Sequence, residues 1–226
     1  ITVTPSLLCR YLCGRPLGIK SRLKFFDDKL TAMVAITNGS HFKENFAFYD
    51  EVDLNQMKTA ASRLSLALPL GSSEFGVSGA FGAQDQQSEN DRYQWHLGAD
   101  LFLEWKDFEL TGEFITGIVD GESEGDPDDV QCTVAPCLDY WAAYGLLAYR
   151  LSNTWIPYAR VDWRNAEHQD GASFVYVSKL IRATAGLRSE IGTHLIFKAE
   201  YTVNRELGGI PQFPNNILTS AMVVKY

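Results

Sequence analysis

Apolar and polar residues in this chain alternate over stretches too long for most folds to accommodate. In 93–105 one set is Tyr93, Trp95, Leu97, Ala99, Leu101, Leu103 and Trp105, and the other is Gln94, His96, Gly98, Asp100, Phe102 and Glu104. A period of two is that of an extended strand with unlike faces. In 155–165, Trp155, Pro157, Ala159, Val161 and Trp163 alternate with Ile156, Tyr158, Arg160, Asp162 and Arg164. In 180–191, Ile181, Ala183, Ala185 and Leu187 alternate with Arg182, Thr184, Gly186, Arg188 and Glu190. In 194–206, Leu195, Phe197, Ala199, Tyr201 and Val203 alternate with Ile196, Lys198, Glu200, Thr202 and Asn204.

Extending this pattern predicts strands over 18–26, 29–39, 59–70, 75–85, 93–105, 108–121, 140–152, 155–168, 180–192, 194–206 and 217–226, with a weaker one near 2–10. They are longer than ordinary strands of about 5–6 residues and match the about 9–11 that a tilted membrane strand needs. Five predicted connections are short: Asp27-Asp28, Gly71-Ser72-Ser73-Glu74, Lys106-Asp107, Asn153-Thr154 and Gly192-Thr193. They alternate with long polar ones over 40–58, 86–92, 122–139, 169–179 and 207–216. Short periplasmic turns alternating with long extracellular loops is the layout of an outer-membrane barrel. Aromatic residues flank both ends, as the headgroup level favours: Phe25, Phe75, Trp105, Phe108, Tyr149, Trp155 and Tyr226 near the turns, and Tyr93, Trp95, Trp141, Trp163 and Tyr201 near the loops.

Composition agrees. The 226 residues are 46% hydrophobic with a mean hydropathy of -0.13, and no run of roughly 18 apolar residues marks a spanning helix. A net charge of -8 argues against nucleic acid as a partner. No signal peptide is visible and residue 1 is Ile, so the chain is read as a processed form or a piece lacking its start. The expected fold is all-β: an antiparallel transmembrane β-barrel, 1–226 as a single domain, with about 12 strands visible. It is either a complete small barrel or the C-terminal part of a 16- or 18-stranded one. Its C-terminus is expected in the periplasm and its location in a bacterial outer membrane, in contact with outer-membrane lipid.

The segments RLSLALPLGSSEFGVSGAFG (63–82), WHLGADLFLEWKDFELTGEFITG (95–117) and ATAGLRSEIGTHLIFKAEYTVNRE (183–206) resemble bacterial outer-membrane porins, especially the phosphate-selective porin-like group. The ending Ile-Leu-Thr-Ser-Ala-Met-Val-Val-Lys-Tyr is similar to the terminal strand read by the barrel-assembly machinery, although that signal usually ends in Phe. The resemblance implies a passive channel for small hydrophilic or anionic solutes. Trimers are common in the porins it resembles. It carries over no specific anion-binding residue.

In such a barrel the polar set lines the interior, because charge facing lipid at mid-membrane costs roughly 2–4 kcal/mol. The expected lining is Lys20, Arg22, Lys24, Arg63, Arg150, Arg160, Arg164, Arg182, Arg188, Lys198 and Lys225 on the basic side. On the acidic side it is Asp100, Glu104, Glu109, Glu113, Asp162, Glu190 and Glu200. Basic residues outnumber acidic ones here although the whole chain is acidic, which implies a mild anion preference. The tight turn at Lys106-Asp107 predicts Glu104 opposite Glu109 and Asp100 opposite Glu113; that at Gly192-Thr193 predicts Lys198 opposite Arg188. An acidic stripe and a basic stripe would then face each other across the lumen. Whether these charges leave an open pore or pair and plug it stays open.

Other signals are weaker. Cys132 and Cys137 are placed for a short-range disulfide in an oxidising compartment, while Cys9 and Cys13 lack the neighbours a metal would need. The loop 122–129, Glu-Ser-Glu-Gly-Asp-Pro-Asp-Asp, lacks calcium-loop spacing and reads as a solvated acidic loop. No cofactor and no metal is implied. His41, His96, His168 and His194 form no nucleophile–base arrangement; His96 and Asp100, four residues apart on a strand, are separated by roughly 13 Å, so no enzyme is expected. The alternative is a non-conducting barrel acting as adhesin, receptor or scaffold. Phe42, Phe46, Phe48 and Tyr49, among charges in 40–58, would bind a partner or fold inward and narrow the pore.

Overall fold

The computed structural model describes residues 18–37, 58–83, 93–119, 138–170, 174–209 and 211–224. The strand expected near 2–10, all four cysteines, the aromatic loop residues Phe42–Tyr49, the acidic loop 122–129 and Lys225 and Tyr226 lie outside them. The described residues form eleven strands: β1 (Gly18–Phe25), β2 (Leu30–Thr37), β3 (Thr59–Ala67), β4 (Glu74–Ala83), β5 (Tyr93–Trp105), β6 (Phe108–Val119), β7 (Leu138–Tyr149), β8 (Trp155–Asp170), β9 (Phe174–Ile191), β10 (Leu195–Glu206) and β11 (Ile217–Val224). They make one antiparallel sheet in chain order, and no helix occurs among the described residues. Each strand pairs with the strands before and after it; β1 and β11 are the edges.

The turns set the register. Lys106-Asp107 joins β5 to β6 directly, so Trp105 faces Phe108, Glu104 faces Glu109 and Asp100 faces Glu113, as the sequence predicts. The turn at 192–194 sets Arg188 against Lys198. The turn after β3 is tied to the end of β5, where buried Ser73 accepts from the Glu104 amide at 2.9 Å. Several bounds differ from expectation: the turns run over 26–29, 68–73 and 150–154, with Glu74 already in β4, and one long connection is partly strand. Residues 174–179 belong to β9 instead of a loop, and β8 runs on to Asp170. The segment Phe174-Val175-Tyr176-Val177 is built of strong strand formers, and pairing with the end of β8 outweighs the polar character of its neighbours.

The two faces of the sheet are inverted relative to a soluble protein. On β8 the apolar set is exposed, with Trp155 at 46%, Val161 at 55% and Trp163 at 47%, while Arg160, Asp162 and Arg164 on the opposite face are 3%, 0% and 4% exposed. Leu64, Leu97, Phe114, Leu147, Tyr201 and Val203 continue the exposed apolar face on other strands. Aromatic contacts mark its two ends. At the turn end Phe108 lies 6.3 Å from Trp105 and 4.7 Å from Tyr149 between ring centroids. Towards the loop end Trp141 lies 6.5 Å from Phe114 and 5.1 Å from Trp163.

Two glycines separate backbone strain from packing. Gly192 has a φ of 62° and no atom within 4 Å of where a Cβ would sit; Gly145 has the same empty space on an ordinary strand. Gly192→Ala is expected to cost about 1 kcal/mol through strain alone, whereas Gly145→Ala is neutral or slightly stabilising. Urea midpoints of the two variants, compared with the parent chain, check both signs.

Candidate functional site: the charged face of the sheet

Two small apolar clusters occupy part of the polar face: Ile115, Tyr140, Ala142 and Ala166, and Leu146, Ala148, Ile156 and Tyr158. Tyr144 packs against both. Between them runs a belt of polar side chains. Register places Asp100 opposite Glu113, Glu113 opposite Tyr144, Tyr144 opposite Asp162, Asp162 opposite Arg182, and Arg182 opposite Asn204. Within the belt Tyr144 lies beside Glu113 across β6 and β7, and Arg182 Nε donates to Asn204 Oδ1 at 2.9 Å.

Asp162 is the most enclosed charge. Arg160, two residues earlier on the same face, donates from Nε to Asp162 Oδ2 at 2.8 Å, and the two side chains are 2% and 0% exposed. Removing water from both ions costs several kcal/mol each, which only close pairing offsets. Lower on the face, Arg188 donates to Glu190, and Arg150 reaches the same carboxylate at 3.9 Å.

Three contacts reach across a whole strand. Tyr158 on β8 donates to Glu200 on β10 at 2.7 Å, passing over Gly186 of β9. A Cβ at Gly186 would lie 2.3 Å from the Tyr158 ring. His96 on β5 and Tyr140 on β7 meet at 2.6 Å over Gly117 of β6, where a Cβ would come within 2.7 Å of His96 Nδ1. Arg63 on β3 binds Asp100 on β5 at 2.5 Å and 3.0 Å over Gly76 of β4, and also Glu74 at 2.6 Å. A Cβ at Gly76 would sit 2.6 Å from both partners. Glycine is required at these positions because it leaves the middle strand without a side chain where two longer ones meet.

The expected lining residues therefore fall into distinct groups. Arg160, Arg164, Asp162 and Glu200 are buried; Arg63, Arg182, Arg188, Lys198, Asp100, Glu109 and Glu113 are partly buried. Lys20, Arg22 and Lys24 lie exposed on edge strand β1, and Glu104 is exposed by the turn. Lys24 pairs locally with Asp28 at 2.7 Å. The separation into an acidic and a basic stripe is incomplete: Arg63 sits within the acidic group, and Asp162, Glu190 and Glu200 sit within the basic one. Burial is the cause, since the enclosed Asp162 takes a guanidinium and the enclosed Glu200 a hydroxyl as partner.

Tyr140, Tyr144, Tyr158 and Glu74 have roles here that alternation alone does not assign. For Tyr140 and Tyr158 the signal is a polar-face glycine, Gly117 or Gly186, whose register neighbours on both sides are long polar residues.

Asp162→Asn is expected to destabilise the protein by about 3–5 kcal/mol, because it leaves the Arg160 guanidinium enclosed without its carboxylate. The temperature at which the folded form converts to the unfolded form on an unheated-versus-heated gel measures this. A fall no larger than that of an exposed variant such as Glu104→Gln would contradict the role given to the pair. A scan of family models finds none that matches the chain, and a search of curated proteins returns no significant match.

Proposed function

We propose that the sheet closes into a transmembrane β-barrel of a bacterial outer membrane and serves as a porin-like channel for passive diffusion of small hydrophilic solutes, with a mild anion preference. The observation that carries this reading is the inverted burial: an exposed apolar face between two sets of aromatic residues, and a charged face turned away from solvent. In water such a sheet would expose its hydrophobic side; in lipid that side is solvated and the edges must be paired. With eleven strands in chain order, β1 and β11 run in the same direction. The further strand expected near 2–10 would keep closure antiparallel.

Anion preference rests on accessible cations. Lys20, Arg22 and Lys24 are exposed along one face of β1, whereas Arg160 and Arg164 are enclosed and cannot meet a passing ion. A second reading, a non-conducting barrel acting through its loops, is favoured by the tight packing of the charged face at β8. One experiment separates them. In a planar bilayer with a KCl gradient, the full chain is expected to give stepwise conductance with an anion-biased reversal potential. The triple variant Lys20→Glu, Arg22→Glu, Lys24→Glu is expected to move that potential towards cation selectivity. No conductance from folded, heat-modifiable protein would favour the scaffold reading.

A further inference from the structure

Towards the turn end of the charged face, like charges stand opposite each other and keep accessible surface. Glu104 on β5 is opposite Glu109 on β6, the first exposed and the second partly buried. Arg188 on β9 is opposite Lys198 on β10, and both are partly buried. Like charges in such positions repel. The tight turns fix which positions face each other, but not that all four carry charge.

Two groups of opposite sign result. On the basic side, Glu190 accepts from Arg188 and lies 3.9 Å from Arg150. Lys198 makes neither a hydrogen bond nor an ion pair among the described residues. Glu200, two residues along the same face, is buried and accepts from Tyr158 at 2.7 Å. Arg150, Arg188 and Lys198 thus surround one accessible carboxylate and carry an excess of positive charge. Glu104 and Glu109 carry an excess of negative charge. Three strand spacings, roughly 14 Å of sheet, separate β6 from β9. The long side chains narrow that gap: Arg188 and Arg150 are near enough for their charges to act on Glu109.

We infer that this end of the charged face selects zwitterionic solutes of amino-acid size, with Glu104 and Glu109 meeting the ammonium group and Arg188 and Lys198 the carboxylate. This rests on the channel reading above and names the class of solute. A simple anion is attracted by one pair and repelled by the other, and a simple cation meets the reverse. A molecule that carries both charges gains at both pairs when it lies along the line joining them. An uncharged molecule of the same size gains at neither.

The test measures osmotic swelling of vesicles that contain the full chain, with glycine or its uncharged isomer glycolamide as the solute at neutral pH. The isomers share one formula, so size does not separate them. The parent chain is expected to admit glycine several-fold faster. The double variant Glu104→Gln, Glu109→Gln and the single variant Lys198→Gln are each expected to bring the two rates together. Lys198→Arg is expected to retain most of the difference. Equal entry of both isomers through the parent chain, or a glycine preference that survives in either neutralised variant, overturns the zwitterion site and leaves the channel. Entry of neither isomer through folded, heat-modifiable protein overturns the channel reading and the site with it.

Discussion

Asp162 is a carboxylate with no exposed surface, and the charged face of the sheet is organised around it. Its hydrogen bond with Arg160 leaves Arg182 on one neighbouring strand and Tyr144 on the other. An enclosed ion is tolerable only when its remaining lone pairs meet donors, so the surrounding residues are constrained in turn. Tyr144 faces Glu113, which carries the belt to β6 and, through Asp100, to Arg63 on β3. A charge buried at β8 is thus connected, pair by pair, to a guanidinium five strands away.

Much of this was legible in the sequence, and the reason is geometric. A two-residue turn leaves one register, and register fixes every facing pair along both strands. The oppositions of Glu104 with Glu109, Asp100 with Glu113 and Arg188 with Lys198 follow from the turn positions alone. The parity of each side chain follows in the same way, which is why the apolar and polar sets emerge intact. What alternation could not reveal is reach. Tyr158 and Glu200 are not register partners; they meet because Gly186 stands between them. Burial was equally hidden, since Arg160 and Lys24 occupy equivalent positions in the pattern yet one is enclosed and the other exposed. The strand content of 174–179 was missed for another reason. Its support comes from the long partner strand β8, not from its own periodicity.

The apolar face follows a simpler rule. Its residues contact one another mainly through aromatic rings near the two ends, with small side chains such as Ala159, Ala183 and Ala185 between them. On the membrane reading proposed above, burial of this face against protein would bring little gain, because hydrocarbon solvates it as well as a neighbouring side chain would. Specificity has to come from the charged side, and that is where the directional contacts are concentrated.

The strand-spanning contacts also bear on how errors in pairing are detected. A strand displaced by two residues against its neighbour keeps its apolar side outward and its ladder of backbone bonds intact. Neither the apolar face nor the backbone would register such a mistake. The contacts over Gly76, Gly117 and Gly186 would, because each needs three consecutive strands aligned before two side chains can meet above the middle one. These glycines serve as alignment marks spaced along the sheet, and a strand is checked only once the strand beyond its neighbour has arrived.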